Sequence, residues 1–484
     1  STLFSPSGIN INFIEEIEGD FAIALYDKSS KRLFLIRDRL GVKPLVYHTS
    51  NGKIYFSSEA KTFNAFSAIK LEPNIDKIVT DLLMWFWADK EETYFKDVIN
   101  IKAGEYIVID SKGLIKNIYW DIPFNKYPTV TEDQIKNALE VSTQSRLQGE
   151  AKFATLLSGG LDSSLLTAMI AKKSKPLTSY TIKYDDGENN NDFEFATQLA
   201  STYPNINHRI NLIPKKDITI KTVDTITYYL EEVMWDKVYY SMFINYLTAS
   251  QDGFRIIING QGSDEVWLGY YHDFPHYKFK ESQLSSSYLT QYFILENIKD
   301  IKILSERYRD ISHLEKMVEK NLKPNLPISS TDDRLNALAY WATKTYLQSN
   351  LMQEDRMSMA CSVECRVPFT DYRLVELAFS IRGEDKIKNR IEKFPLKQVA
   401  KDYLPKEIVS RQKQAFVNPS DKYDKNIIEY LQTNLAKIKK SKYMNQIFSQ
   451  ELFQDIAADS VKLSPEILWK TCAIHRFLIK NKFE

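Results

Sequence analysis

The chain has 484 residues, which fits two or three domains of roughly 150 residues each. With 43% hydrophobic and 26% charged residues it has the composition of a globular protein, which excludes a disordered chain. The 64 lysines and arginines nearly balance the 63 acidic residues, so the formal net charge is +1 and the chain has no strong positive electrostatic field that would attract nucleic acid. Three cysteines cannot build a disulfide framework. No apolar run approaches the roughly 18 residues of a membrane helix and no secretory signal is visible, so we expect a cytoplasmic protein.

The first 125 residues are predicted to form short strands joined by tight turns. Paired apolar runs flank short polar segments, and Asn51-Gly52 is a strong hairpin signal. The predicted pairs are 21–27 with 32–37, 45–48 with 53–56, and 105–109 with 114–120. This pattern indicates an antiparallel, β-rich domain over residues 1–125.

The pattern changes in the second part, residues 126–484. Predicted strands alternate there with predicted helices, which favours a mainly parallel sheet with helices on both faces. The strands are 153–157, 177–184, 208–213 and 254–259, and the helices are 131–145, 162–173, 193–202 and segments within 216–250. From residue 266 onward the chain is predicted to be mostly helical.

The loop after the first of these strands has the composition of a phosphate-binding loop. It reads Leu-Ser-Gly-Gly-Leu-Asp-Ser-Ser over residues 157–164. Its glycines permit close backbone approach, and the N-terminus of the following helix favours an anion. Asp162 would repel a bare phosphate and therefore suits a Mg²⁺ ion that bridges phosphates. The loop lacks the Gly-Lys-Ser/Thr ending of nucleoside triphosphatases. The alternative is a plain turn before an N-capped helix.

A second glycine-rich loop follows the fourth predicted strand. Residues 259–265 read Asn-Gly-Gln-Gly-Ser-Asp-Glu. Loops at the carboxyl ends of parallel strands converge on one crevice, so we expect Asp264 to share a cation with Asp162. Alone, this loop would be a structural turn; the first loop makes a nucleotide contact the better interpretation.

Two further segments carry charges in suggestive places. In residues 353–369, Glu364 and Arg366 lie among apolar residues, where a buried charge needs a partner. The two residues are therefore interpreted either as part of a buried ion-pair network or as catalytic residues. Cys361 and Cys365 are predicted to be small buried residues. In residues 404–416, Lys413 belongs to a basic stretch. Such a stretch usually forms a solvent-exposed face, and the other motifs make a functional role the second interpretation of Lys413.

Together these segments resemble the glutamine-dependent asparagine synthetase family over about residues 17–416. Ser-Gly-Gly-Leu-Asp-Ser-Ser is similar to its pyrophosphate loop and Gly-Gln-Gly-Ser-Asp-Glu to its second nucleotide loop. Arg-Met-Ser-Met-Ala, Glu-Cys-Arg-Val-Pro-Phe and Arg-Gln-Lys-Gln-Ala-Phe resemble its C-terminal signatures. Residues 19–22, 37–45 and 57–60 resemble the later half of its glutaminase domain.

The resemblance implies an α/β fold. Residues 1–125 would be an antiparallel, β-rich remnant of an Ntn-type glutaminase domain. Residues 126–484 would be an adenine-nucleotide α-hydrolase-like domain, the PP-loop ATP pyrophosphatase fold, with a helical C-terminal part.

The resemblance also implies a reaction. A substrate carboxylate attacks the α-phosphate of Mg·ATP, pyrophosphate leaves, and ammonia converts the acyl-adenylate into an amide and AMP. The implied pyrophosphate contacts are Ser158, Gly159, Gly160, Asp162, Ser163 and Ser164. The implied Mg²⁺ ligands are Asp162 and Asp264, and the implied adenosine contacts are Leu157, Ile182, Asn259 and Gly260. Lys413 would neutralise developing charge, and Gln261 and Glu364 are the other candidate catalytic residues.

Two departures from the family bear on the substrates. Residue 1 is Ser and the first cysteine is Cys361, whereas the family's glutaminase uses an N-terminal Cys. Either the chain is incomplete or it lacks glutaminase activity. Gln261 stands where asparagine synthetases often carry a Glu tied to forming the aspartyl-adenylate, and where β-lactam-forming relatives carry Tyr. Gln keeps hydrogen bonding but loses charge and base function.

The leading hypothesis is therefore an amide synthetase that uses aspartate with ammonia or glutamine nitrogen. The alternative is a cyclase or amidating ligase acting on a peptide, a sugar acid or another metabolite. A catalytically silent binding partner is disfavoured because Asp162, Asp264 and Lys413 are all present. We expect a separate glutaminase subunit or a homodimer as partners, and neither nucleic acid nor a membrane.

Overall fold

The structure is a computed structural model that describes residues 4–5, 8–84, 88–123, 127–173, 176–184, 192–213, 218–270, 290–291, 294–321, 330–412, 425–458 and 463–484. The strands are β1 (Phe4–Ser5), β2 (Gly8–Ile9), β3 (Ala22–Asp27), β4 (Arg32–Arg37), β5 (Val46–Ser50), β6 (Lys53–Ser57), β7 (Val98–Asn100), β8 (Glu105–Asp110), β9 (Gly113–Ile118), β10 (Phe153–Leu156), β11 (Leu177–Tyr184), β12 (Ile206–Ile213), β13 (Ile256–Ile258) and β14 (Glu364–Arg366).

The α-helices are α1 (Ile75–Met84), α2 (Glu132–Ser145), α3 (Leu161–Lys173), α4 (Asp192–Thr202), α5 (Ile220–Leu230), α6 (Val238–Gln251), α7 (Ser263–Val266), α8 (Glu306–Arg309), α9 (Ile311–Asn321), α10 (Thr331–Lys344), α11 (Tyr346–Ala360), α12 (Tyr372–Phe379), α13 (Gly383–Lys386), α14 (Phe394–Ala400), α15 (Lys406–Ser410), α16 (Lys425–Lys440), α17 (Lys442–Ile447), α18 (Gln450–Ala457) and α19 (Pro465–Lys480). Short 3₁₀ turns lie at Ile11–Glu15, Ala60–Ala65, Ile301–Ile303 and Pro368–Thr370, and a π-helical turn lies at Ile294–Ile298.

The N-terminal part consists of antiparallel strands, which confirms the predicted hairpins. β3, β4, β8 and β9 form one sheet in that order, and β6, β5 and β7 form a second. Successive side chains of β4 point to opposite faces, so Leu35 joins Leu45 and Tyr47 in the core between the sheets. Phe34 and Ile36 line a separate cluster on the other face. Helix α1 and strand β7 are additions to the predicted elements.

A parallel five-stranded sheet organises the second part. Its order is β12-β11-β10-β13-β14, and every neighbouring pair is parallel. The four predicted strands are confirmed, and the fifth, β14, is an addition. The three isoleucines of β13 are all buried, as expected for a strand covered on both faces. The loops after β10 and β13 therefore leave the same edge of the sheet side by side.

Helix α11 contacts both parts of the protein. Gln348 donates from Nε2 to the carbonyl oxygen of Leu40 at 2.7 Å, and Asp355 pairs with Lys43 at 3.2 Å. These contacts join the helix to the loop after β4. They fix the position of α11, and with it the positions of its other side chains.

The chain beyond residue 266 is mostly helical in the described ranges, as predicted. None of the helices described there or elsewhere combines the length and the apolar character needed to cross a bilayer.

Lys386 is a completely buried lysine in this helical part. Its Nζ donates to the carbonyl oxygen of Val266 at 3.2 Å and to Oδ1 of Asn336 at 2.8 Å. Burial lowers the pKa of Lys386 to about 7. The unfolded chain, where a lysine pKa is about 10.4, then binds the proton at pH values where the folded chain does not. The free energy of unfolding should therefore rise with pH across this window.

We expect the pH-dependent contribution of Lys386 to the free energy of unfolding to disappear in Lys386→Met. Between about pH 7 and pH 10, wild type should gain up to about 1.4 kcal/mol of unfolding free energy per pH unit relative to the variant. Urea unfolding of both proteins at several pH values measures the difference. Lys112→Met, on the exposed turn between β8 and β9, serves as the control. A difference that does not change with pH would contradict the prediction.

Candidate active site

A cavity of about 470 Å³ opens at the carboxyl edge of the parallel sheet. It lies where the loops after β10 and β13 meet, as the sequence predicted. Most of the predicted site residues line it. These are Leu157, Ser158, Gly160, Asp162, Ser163, Ile182, Asn259, Gly260, Gln261 and Asp264.

The first loop packs closely against α4 and presents two hydroxyls to the cavity. Gly159 has a φ of +79°, and a Cβ there would lie 2.1 Å from the carbonyl oxygen of Asp192. Any other residue would therefore force the loop away from α4. The hydroxyls of Ser158 and Ser163 are 3.0 Å apart and both line the cavity. They sit with backbone N–H groups at the N-terminus of α3, where negative charge is favoured. Ser164 is buried behind the loop and does not line the cavity.

The second loop packs directly against the first. A Cβ at Gly260 would lie 3.1 Å from the backbone nitrogen of Ser163 and 3.2 Å from the Cβ of Asp162. Ser263 donates from Oγ to Oδ1 of Asp162 at 2.7 Å. The glycine therefore permits the contact, and the serine fixes the orientation of the carboxylate.

Asp162 and Asp264 converge on one cationic group. Nζ of Lys393 lies 2.5 Å from Oδ2 of Asp162 and 2.5 Å from Oδ1 of Asp264. The side chain of Lys393 is only 3% exposed. Sequence analysis missed this lysine, because it lies 231 residues from Asp162 with no local pattern to mark it.

The two carboxylates fit a nucleotide-bound Mg²⁺. Such an ion takes one or two carboxylate ligands and completes its shell with phosphate and water oxygens. The described residues contain no cluster of three or more His, Cys, Asp or Glu side chains that would hold a metal by protein ligands alone. Asp162 and Asp264 thus supply the number and type of protein ligands expected for a Mg²⁺ ion that is also coordinated by nucleotide phosphates.

A buried acid stands next to this pair. Burial and the nearby carboxylate of Asp264 raise the pKa of Glu265 to about 7. Its Oε1 accepts hydrogen bonds from Tyr270 and from Asn350, both at 3.1 Å.

Part of the cavity lining is apolar. Leu157, Leu161, Ile182, Val238 and Met242 contribute to its lining. An apolar slot beside a glycine-rich loop suits a flat heterocycle attached to phosphates.

Arg411 ties the Arg-Gln-Lys segment to the first loop. Its guanidinium donates to the carbonyl oxygen of Gly159 at 3.1 Å, pairs with Asp192 and lies over the ring of Phe195. Gln412 lines the cavity. Lys413 itself lies outside the described residues, so its predicted catalytic role stays a prediction.

The structure does not bring Glu364 to the other candidates. It begins β14 at the amino edge of the sheet, and its side chain is 43% exposed. Its Oε1 is 3.0 Å from Nε of Arg366. The guanidinium of Arg366 also donates to the carbonyl oxygens of Arg146 and Gln148. Glu364 and Arg366 thus form an ion pair with each other. The geometry gives no support to the predicted catalytic role of Glu364.

The acid of this segment that does reach the cavity is Glu354 in α11. Sequence analysis missed it because a glutamate in a polar helix is most often solvated. Here it is buried and accepts hydrogen bonds from Tyr246, Asn259 and Gln261. Burial raises the pKa of Glu354.

Two family profiles match this chain. The asparagine synthase family profile matches residues 134–476, and the glutamine amidotransferase domain profile matches residues 3–120. Glutamine-hydrolyzing asparagine synthetase 3 of Bacillus subtilis is 27% identical over 455 residues, covering 87% of this chain and 70% of that protein.

Two other relatives are similar at lower identity. Glutamine-hydrolyzing asparagine synthetase 1 of the same organism is 23% identical over 495 residues, covering 93% of this chain and 76% of that protein. Amidase chry2 of Gibberella zeae is 23% identical over 481 residues, covering 84% of this chain and 71% of that protein. Relatives named for different activities thus align with most of this chain at 23–27% identity.

Proposed function

The chain belongs to the asparagine synthase family, and from this premise we propose that its cavity binds Mg·ATP and adenylates a carboxylate. Pyrophosphate leaves in that step, and a nitrogen nucleophile then releases AMP and forms an amide. The observation that carries the proposal is the convergence of Asp162 and Asp264 on Lys393 beside the N-terminus of α3. The enzyme class, an amidotransferase-type ligase, follows from the family itself.

Each part of the cavity has a place in this reaction. The hydroxyls of Ser158 and Ser163, with the backbone N–H groups around them, would hold the pyrophosphate. Asp162 and Asp264 would hold Mg²⁺, which neutralises phosphate charge and so favours attack at the α-phosphate. Lys393 would donate to the phosphates, and the apolar part of the lining would receive the adenine. Such chemistry needs mainly positioning and electrostatic stabilisation.

Two classes of acyl substrate fit the proposed reaction. Aspartate is the leading candidate, since relatives at 27% and 23% identity are named asparagine synthetases. The amide of Gln261 and the similarity to amidase chry2 favour the alternative, a ligase or cyclase acting on a peptide, sugar acid or other metabolite. The two matched domains suit glutamine or ammonia as the nitrogen source. We retain the domain boundary near residue 125 as a prediction.

Pyrophosphate release from Mg·ATP tests the proposal. The reaction is run with aspartate and with a panel of other carboxylic acids, using ammonium chloride and glutamine separately. Release with aspartate supports the leading candidate, and release only with another acid supports the alternative. Absence of release and of AMP formation with every acid would overturn the proposed adenylation.

Lys413→Ala should slow turnover far more than it weakens ATP binding. A lysine that neutralises charge developing in the transition state affects kcat, whereas a residue that binds the ground state affects affinity. We expect kcat for pyrophosphate release to fall about 100-fold or more, with the Kd for ATP changed less than about threefold. Steady-state kinetics and equilibrium ATP binding measure the two. An unchanged kcat would assign Lys413 to a solvated face.

A further inference from the structure

Arg411 is a nearly buried arginine that the proposed reaction above does not use. Its side chain is 10% exposed, and its guanidinium donates to the carbonyl oxygen of Gly159 at 3.1 Å. The same guanidinium pairs with Asp192, the first residue of α4, and its Cζ lies 4.5 Å from the ring centroid of Phe195. The side chain of Arg411 is therefore held by two elements, the first loop and α4.

The backbone of Arg411 is held from a third element, helix α14. Nζ of Lys397 donates to the carbonyl oxygen of Arg411 at 3.3 Å and to Oε1 of Glu392 at 3.0 Å. Lys397 lies one helical turn after Lys393, the lysine between the two aspartates. Arg411 thus joins α14 to the first loop, and its guanidinium reaches the loop from a backbone that is itself fixed.

The carbonyl that Arg411 contacts belongs to a peptide with two permissive neighbours. Rotation of a peptide plane changes ψ of the residue before it and φ of the residue after it, and here these residues are Gly159 and Gly160. Without a Cβ, neither glycine strongly opposes the rotation. Because a trans peptide is planar, its C=O and N–H point to opposite sides. The direction of the Gly159 carbonyl therefore sets the direction of the Gly160 N–H.

In the observed orientation the Gly160 N–H faces the cavity. Its nitrogen is 3.4 Å from Oγ of Ser158, and both residues line the cavity. A hydrogen bond of that length is weak, so the N–H remains available to a better acceptor. The opposite orientation would turn the carbonyl oxygen toward the phosphates and the N–H toward a guanidinium, which has only donors. Arg411 therefore favours the orientation that suits an anion.

Resting on the proposed function, we propose that Arg411 is a positioning residue that fixes the peptide between Gly159 and Gly160, so that the Gly160 N–H donates to the leaving pyrophosphate. A charged phosphate oxygen is a stronger acceptor than the hydroxyl of Ser158. Arg411 acts here through the peptide, and its own charge is balanced by Asp192.

Equilibrium binding of pyrophosphate and of AMP, both with Mg²⁺, measures this role without an acyl substrate. For Arg411→Ala we expect the Kd for pyrophosphate to rise about 10- to 100-fold, the range for a lost hydrogen bond to a charged group. The Kd for AMP should change less than about threefold, because AMP lacks the leaving phosphates, and its binding also shows that the variant is folded. A merely structural role would weaken both ligands alike. That result, or an unchanged Kd for pyrophosphate, would overturn the proposal.

Two further variants separate positioning from direct attraction by the charge of Arg411. Asp192→Asn removes the negative charge that anchors the guanidinium. Direct attraction predicts a lower Kd for pyrophosphate in this variant, whereas loss of the anchor should raise the Kd about threefold or more. Arg411→Lys keeps the charge but not the planar fork that holds Gly159 and Asp192 together, so it should recover only part of the affinity. Tighter binding in Asp192→Asn, or full affinity in Arg411→Lys, would contradict the positioning role.

Arg476→Ala is the matched control. Arg476 also pairs with an aspartate, Asp224, and lies over the ring of Tyr430, but it does not line the cavity. Its side chain is 16% exposed, similar to that of Arg411. This variant should bind pyrophosphate and AMP as wild type does. Wild type that binds ATP but not pyrophosphate would overturn this inference alone. Wild type that binds neither would overturn the proposed function, and this inference with it.

Discussion

Asp162→Asn should abolish acid-dependent pyrophosphate release, with kcat falling by about 10³-fold or more. The substitution removes one of two negative charges that would hold Mg²⁺ against the phosphates, and a bound metal supplies several kcal/mol of charge stabilisation. The change is small in shape, and an asparagine Oδ1 still accepts the hydrogen bond from Ser263. We therefore expect the fold to survive. Pyrophosphate release at saturating ATP, with thermal unfolding as a check of the fold, measures the effect.

Asp402→Asn is the matched control for this variant. Asp402 is an exposed aspartate that pairs with Lys136 at 2.5 Å and does not line the cavity. Exposed pairs contribute little, so the same change of charge there should leave kcat unaltered. Full activity in Asp162→Asn would remove Asp162 from the metal site and with it the observation on which the proposed function rests.

The nucleotide loops were predictable because their signals are local. Glycine at 159 and 260 is needed where one backbone segment passes close to another, and each loop directly follows a predicted strand. In a parallel sheet the carboxyl ends of strands share an edge, so the strand assignments place Asp162 and Asp264 at the same edge. That β10 and β13 are neighbours in the sheet is seen only in the structure.

Lys393 and Glu354 were not predictable in the same way. Each reaches the cavity from a helical region far along the chain, and only the packing of α11 and α14 against the sheet brings them there. The sequence indicated Glu364 in the third segment, whereas the acid of that segment that lines the cavity is Glu354. In the three-residue strand β14, side chains alternate, so Cys365 faces Glu354 while Glu364 pairs with Arg366 on the other side.

Lys393→Met should separate the structural role of the lysine from its role with phosphates. Without the ammonium group, Asp162 and Asp264 remain close together with side chains only 14% and 12% exposed, and nothing cancels their repulsion. Removing one partner of a buried ion pair destabilises by about 3 kcal/mol or more. We expect the variant to unfold at a lower temperature than wild type in the presence of a chelator, as measured by thermal scans.

Mg²⁺ should then restore more stability in the variant than in wild type. In wild type the metal has to displace Nζ of Lys393 from the two carboxylates, whereas in Lys393→Met it meets them directly. Binding only to the folded state adds about 1.4 kcal/mol for each tenfold excess over the Kd, so the increment grows with Mg²⁺ concentration. Lys136→Met, which breaks the exposed pair with Asp402, should show no increment beyond wild type. Equal Mg²⁺ responses in Lys393→Met and wild type would show that these two aspartates do not form the cation site.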